Sequence, residues 1–377
     1  MEAGALPEPV LVTQAGSLKL LADQLDGETV VAVDTESNSL YAYREQVCLI
    51  QFSTRETDYL VDPLALEDLS PLAGVFANPK IEKVFHAAEY DVICLRRDFD
   101  FEFANLFDTM LAARILGRQE VGLGAVLQAE FNVHLEKRYQ RANWGQRPLP
   151  GYLLDYARLD THYLIALRER LGADLRQCKL WPLAQEDFER LRVLQAAESN
   201  GRAPDCWRIR GSYDLSPQQA AVLQEVCRYR ERVASAQNRP LFKVISDQSL
   251  LAIAGQGPQT LHELGRLPGM SHGQVRRHGE ALLQAVRRGR QAEPIYPPRS
   301  PRPDEAFVLR VEALRRWRKE AALQMGVGSD VVLPRDLLFA LAEGNPRGMG
   351  ELAEVMAEAP WRLEHFGEQI LWALGRR

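Results

Sequence analysis

Asp34, Thr35 and Glu36 follow the apolar run VVAV without a break. Side chains two residues apart on a strand point to one side, so Asp34 and Glu36 would project together from the end of a central strand. Two close carboxylates repel unless something neutralises them, and a bound divalent cation is the usual remedy. On its own an Asp-x-Glu after a strand more often opens a solvated loop. Two more acidic segments raise its weight. FHAAEYD sets Asp91 just inside a helix that follows a strand, and YARLD sets Tyr156 and Asp160 four residues apart on one helix face. Three such segments meeting at one sheet end are what a two-metal phosphoryl-transfer site needs, with cations about 4 Å apart stabilising the attacking and leaving oxygens of an in-line displacement. A tyrosine hydroxyl beside the attacking water orients it or helps remove its proton.

The elements that must position these groups are legible as a change of period along residues 1–206. Thr29–Val33, Val47–Phe52, Tyr59–Val61 and Lys83–His86 read as strands, the first two apolar enough for a sheet interior. Helical spacing follows at Glu89–Arg97, Thr109–Leu116, Leu123–Phe131 and Gly151–Arg170. Strands first and helices interleaved later predict an α/β domain with a mixed sheet. Asp108, before Thr109, reads as the N-cap of its helix.

The chain of 377 residues is long enough for two to three domains. Five prolines within AEPIYPPRSPRP, residues 292–303, forbid a helix and mark a linker. A softer boundary lies at 200–214, before the helix start Ser216-Pro217. The expected pieces are therefore 1–206, 207–292 and 293–377. Shifted by 88 residues, Arg228–Ala285 matches Arg316–Ala373 without gaps, with 14 identities in 58 positions. Apolar residues recur at helical spacing in both copies, so each reads as a small all-α bundle.

Charge divides along the same lines. The net charge of −5 conceals −11 over residues 1–206, +7 over 207–292 and −1 over 293–377. A basic block beside an acidic one suits a polyanion-binding module next to a domain whose carboxylates hold cations. Five widely spaced cysteines, with no C-x-x-C pair, suit a reducing cytoplasm and no zinc site. No leader-like or membrane-spanning apolar run is present, and neither a P-loop nor a dinucleotide fingerprint occurs, so no organic cofactor is expected.

The segments VDTE, FHAAEYDVICL, FDTMLAARIL and YARLDTHYL together resemble the motifs of ribonuclease D type exonucleases, DEDD-superfamily enzymes with Tyr in the third motif. The similarity is densest over residues 135–164, and the two helical copies resemble HRDC domains. The resemblance implies an RNase H-like exonuclease fold with a mixed sheet followed by two all-α HRDC-like domains. It makes Asp34, Glu36, Asp91 and Asp160 ligands of two Mg²⁺ or Mn²⁺ ions, and Tyr156 the residue that positions the nucleophilic water. It implies 3′→5′ hydrolysis of RNA to nucleoside 5′-monophosphates, with 3′ ends of tRNA precursors or other structured RNA as substrate; a cytoplasmic monomer with no membrane partner is expected. A DNA 3′→5′ exonuclease and a catalytically inactive HRDC-type nucleic-acid-binding protein remain as alternatives.

Contacts to the nucleic acid are less sharply marked. Lys137 and Arg147 flank Trp144, where phosphate neutralisation and stacking would grip a single strand, and a loop packing Trp144 into the core is the competing use. His86 is a candidate phosphate contact, although a hydrogen-bonded structural histidine is the commoner use. The first helical copy holds the basic excess, and Arg228, Arg230, Arg276 and Arg277 are its candidates. The second copy has lost that excess and reads as structural.

Overall fold

A computed structural model describes residues 6–136, 138–194, 206–298 and 304–375. The linker at 292–303 and the softer boundary at 200–214 therefore lie partly outside the described residues; residues 292–298 carry neither helix nor strand.

Six strands form one mixed sheet in the order β1-β4-β3-β2-β5-β6. They are β1 (Val10–Val12), β2 (Val30–Ser37), β3 (Val47–Ser53), β4 (Asp58–Val61), β5 (Glu82–Phe85) and β6 (Leu106–Asp108). β2 is central, antiparallel to β3 and parallel to β5. Its apolar half buries both faces. Val31 and Val33 enter a core with Leu18, Leu21, Val92 and Leu95, whereas Val30 and Ala32 enter another with Leu164, Leu167, Leu171 and Phe188. Eight helices flank this sheet among the described residues: α1 (Ala15–Asp26), α2 (Ala73–Ala77), α3 (Glu89–Phe99), α4 (Thr109–Ile115), α5 (Leu123–Phe131), α6 (Gly151–His162), α7 (Leu164–Gln177) and α8 (Trp181–Leu191).

Three details differ from the sequence reading. β2 does not stop at Val33 but runs to Ser37, because Asp34, Thr35 and Glu36 pair with Gln51, Ile50 and Leu49 of β3; the register shifts only between Glu36 and Ser37. The carboxylates thus sit within the ladder rather than in a loop. The edge strands β1 and β6 were not expected, since three residues carry no readable period. The helix expected over Gly151–Arg170 breaks at Tyr163, where Thr161 accepts from Ser53 Oγ at 2.7 Å and His162 Nδ1 lies 2.9 Å from Asp58. Polar side chains tied to β3 and β4 end one helix and start the next.

The two helical copies follow one plan. The first comprises α9 (Pro217–Gln237), α10 (Leu241–Val244), α11 (Asp247–Gln256), α12 (Leu261–Gly265) and α13 (His272–Gln291). The second comprises α14 (Glu305–Met325), α15 (Ser329–Val332), α16 (Arg335–Gly344), α17 (Met349–Val355) and α18 (Pro360–Ala373), each starting 88 residues after its counterpart. Arg230 donates to Ile245 O at 3.0 Å and Arg318 to Leu333 O at 2.9 Å, the same bond in both copies.

The described residues within 1–37, 47–196 and 302–377 pack as one compact unit, and those within 38–46 and 197–301 as another. The second helical copy therefore packs with the α/β domain. Arg362, 0% exposed, is the centre of that packing. Its guanidinium pairs with Glu186, lies 2.8 Å from Asp187 Oδ1, and donates to Val331 O at 2.8 Å, while Glu186 also accepts from Trp361 N at 2.8 Å. Breaking a buried ion pair from one side strands the other charge, at a cost of about 3–5 kcal/mol. Arg362→Ala should therefore lower the stability of this unit by about that much in urea unfolding, and a loss under about 1 kcal/mol would show the cluster to be dispensable.

Candidate active site

β2, α3 and α6 bring the acidic segments together. Alternation along β2 puts Asp34 and Glu36 on the Val30 and Ala32 side and Thr35 on the Val31 and Val33 side. One carboxylate oxygen from each of Asp34, Glu36 and Asp160 lies within 4.8 Å of the others. Asp91, buried in the first turn of α3, falls outside that trio; Thr35 Oγ1 donates to its Oδ1 at 2.5 Å. Its charge still acts on Asp34 and Glu36.

The electrostatics are those of a site built for cations. Burial pushes Asp34 far above the carboxylate range, and the charges of Asp91, Asp160 and Glu36 push it further. Glu36 rises for the same reasons, burial first, then Asp160 and Asp91. Burial lifts Asp91 and Asp160 to about 7 each. Among the described residues, none of the leading influences on these four is a neighbouring cation. Opposite Asp34 in the ladder, the fully buried Gln51 amide has no hydrogen-bond partner among the described residues. Clustered oxygen ligands, mutual repulsion and an orphaned amide all fit divalent cations. Tyr156, one turn before Asp160, has its phenol pKa raised by burial and then by Asp160, Glu36 and Asp34. Its hydroxyl is available as a hydrogen-bond donor beside the carboxylates.

Surrounding residues hold these groups in place. Asp108 caps α4 as expected, accepting from Met110 N at 2.8 Å and Leu111 N at 3.1 Å. It also accepts from Ala88 N at 2.8 Å and Ala87 N at 3.2 Å, which fixes the positive-φ turn at Ala87 that launches α3 and Asp91. Burial raises its pKa, against the effect of these four N–H donors. His86 Nδ1 lies 2.9 Å from Thr109 Oγ1, and burial lowers its pKa to about 4, so the imidazole is neutral and held against α4.

Several expected nucleic-acid contacts are structural instead. Trp144 is 1% exposed, packed among Cys48, Leu49, Leu60, Leu153 and Ala157, with its ring 6.1 Å from that of Tyr156; it supports α6 and offers no face for a base. Arg147 grips Asp62 with two bonds of 2.6 Å and donates to Cys48 O at 2.8 Å, so its charge is already matched. Arg230 is 7% exposed and bound to Asp247 Oδ1 at 2.6 Å. Arg228 is exposed but shares Glu225 with Arg288. Arg276 and Arg277 lie exposed on α13. Lys137 lies outside the described residues. Sequence reasoning missed Thr35, Gln51 and the second role of Asp108; the Thr between two candidate ligands was the available signal for the first.

Fold and site together are those of a 3′-5′ exonuclease domain joined to two helical modules. Residues 9–176 match the family described as 3'-5' exonuclease, and residues 219–286 and 309–374 match the HRDC domain. The chain belongs to the ribonuclease D family. It is 30% identical to Ribonuclease D of Acidiphilium cryptum (strain JF-5), covering 99% of this chain and 95% of that one. It is 32% identical to Protein RRP6-like 1 of Arabidopsis thaliana over 84% of this chain. The chain spans 50% of that relative's length, and 31% and 34% of RRP6-like 3 and RRP6-like 2. The crystal structure of Escherichia coli RNase D, described as an exoribonuclease involved in structured RNA processing, superposes with a TM-score of 0.71 at 25% identity, covering 98% of this chain and 99% of that one. Among the described residues no helix is long and apolar enough to cross a membrane.

The raised carboxylate pKa values have a definite thermodynamic sign. A carboxyl that titrates near 7 when folded and near 4 when unfolded binds more protons in the folded state between those values, so its contribution to stability falls as pH rises through that window. Without divalent cation, the melting temperature should fall more steeply from pH 5 to pH 8 in the wild type than in Asp34→Asn. Added Mg²⁺ or Mn²⁺ should raise it more at pH 8 than at pH 5. Identical slopes and no metal effect would mean that the carboxylates are not in conflict.

Proposed function

We propose that this chain removes nucleotides from the 3′ end of RNA as nucleoside 5′-monophosphates, using two divalent cations, Mg²⁺ or Mn²⁺, held by Asp34, Glu36, Asp91 and Asp160. The observation that carries this reading is the convergence of Asp34, Glu36 and Asp160 oxygens within 4.8 Å in a half-buried acidic site. When bound, the cations would supply charge stabilisation for the attacking and leaving oxygens of an in-line displacement at phosphorus.

The chain's own residues do the positioning. β2, paired on both sides, holds Asp34 and Glu36 to a rigid ladder. The Thr35 hydroxyl fixes the Asp91 carboxylate, and the Asp108 clamp fixes the turn that carries it. Tyr156, one turn before Asp160 on α6, is placed to orient the attacking water by a hydrogen bond or to help remove its proton. Structured RNA 3′ ends, tRNA precursors among them, are the proposed substrates, in keeping with the described role of the E. coli enzyme. A monomer acting in the cytoplasm completes the proposal.

Digestion of 5′-labelled single-stranded RNA and matched DNA tests it. A ladder shortening from the 3′ end, faster on RNA and lost with EDTA or in Asp34→Asn, is the expected result. Tyr156→Phe should lower kcat by about a hundredfold with little change in KM. Faster attack on DNA would move the assignment to a DNA exonuclease, and binding without shortening would reduce it to a binding protein.

A further inference from the structure

The internal repeat allows a comparison inside one molecule, because the same groove forms twice, between the long first helix and the last helix of each copy. In the first copy, Tyr229, Arg232 and Ala236 of α9 face Gln284 and Arg288 of α13 across about 370 Å³. In the second, Trp317, Glu320 and Gln324 of α14 face Glu368, Gln369 and Trp372 of α18 across about 480 Å³. At a shift of 88 residues Trp317 corresponds to Tyr229, Glu320 to Arg232 and Trp372 to Gln284. The backbone plan keeps the groove, and the side chains change its chemistry.

The changes run in one direction. Glu320 reverses the charge of Arg232, and Trp372 places an indole, 71% exposed, where the first copy has an amide. Leu323, 75% exposed on α14, stands where the first copy has Ser235. No basic side chain lines the second groove. Glu320 and Glu368 are exposed and have no ion-pair partner among the described residues. Trp317 forms a fixed wall, because its Nε1 donates to Gln369 Oε1 at 3.1 Å and its ring meets Phe366 edge-on at 5.7 Å. The start of α18 is engaged, with Trp361 and Arg362 bound to Glu186. Further along the same helix Glu368, Gln369 and Trp372 face solvent.

We infer that the α14–α18 groove of the second helical copy is a docking site for an arginine-bearing segment of a protein partner. Two unpaired carboxylates repel the phosphates of a nucleic acid and attract a cation. An exposed indole beside them selects among cations, because a guanidinium stacks on its face while its N–H groups reach a carboxylate. A contiguous exposed Trp and Leu give aliphatic neighbours of that arginine apolar surface to cover. Trp and Arg are also the side chains that carry most of the energy of small interfaces. The occupant is thus fixed by charge complementarity, independently of the exonuclease reading.

The test uses the full chain, with Mg²⁺ present to occupy the acidic cluster of the α/β domain, and a short fluorescein-labelled peptide of arginine and leucine. The peptide should bind with a dissociation constant on the order of 10 µM, the scale of a small transient contact. The same peptide with citrulline, neutral and nearly isosteric, in place of each arginine should bind about tenfold more weakly. Trp372→Ala should weaken the arginine peptide by about tenfold and Trp372→Phe by much less. Glu320→Gln with Glu368→Gln should cost about fivefold, whereas Glu312→Gln with Glu343→Gln, an equal charge change on exposed residues outside the groove, should cost less than about twofold. Circular dichroism should show every variant folded, since each replaced side chain is exposed. Equal binding of the two peptides, equal losses in the two Gln doubles, or no loss in Trp372→Ala would overturn the inference. Affinity for single-stranded RNA should be unchanged in Trp372→Ala; a loss there would assign the groove to RNA instead. Self-association of the wild type that Trp372→Ala abolishes, read by light scattering, would make a second copy of this chain the occupant and overturn the inference as well.

Discussion

The rest of the catalytic unit depends on holding half-buried carboxylates together against their own repulsion. Asp34, Glu36 and Asp160 present oxygens within 4.8 Å of one another, Asp91 lies close enough to add its charge, and burial strengthens each interaction. An isolated loop would relax by swinging these groups into water. A central strand cannot, because Asp34, Thr35 and Glu36 are paired residue by residue with β3. The apolar half of β2, buried on both faces, anchors the acidic half. Folding energy is thus converted into an arrangement that a divalent cation relieves.

Support comes from residues that do double duty. One Asp108 carboxylate caps α4 and fixes the turn into α3, so two helices are aligned by a single buried group. Trp144 and Tyr139 pack against Tyr156, with ring centroids 6.1 and 5.7 Å away, which limits the motion of the phenol. Arg147 ties the segment carrying Trp144 to Asp62 at the end of β4. The basic and aromatic cluster before the third motif therefore serves the site from behind.

The helical repeat shows how one backbone plan takes on two uses. Identical positions keep the internal bonds, as Arg230 and Arg318 do to matching carbonyls. Divergent positions set the outer surface: a neutral Gln274 in one copy, a buried Arg362 in the other. The second copy is fastened to α8 through Glu186 and Asp187, which gives its loss of basic excess a physical sense.

What the amino-acid sequence determined by itself was local and periodic: the α/β pattern, the spacing that pairs Tyr156 with Asp160, the N-cap at Asp108 and the 88-residue repeat. Each depends on neighbours a few residues away or on self-similarity, and both are visible in one dimension. Tertiary structure alone decided which side chains are enclosed and by what. Trp144, Arg147 and Arg230 have the composition of a nucleic-acid surface, yet their partners Cys48, Asp62 and Asp247 come from segments whose approach no spacing announces. The same holds for the three-residue edge strands, for the Thr35–Asp91 bond across 56 residues, and for Arg362 meeting Glu186 across 176. Burial and long-range pairing are properties of the folded chain, because an isolated residue's exposure is set by everything that packs around it.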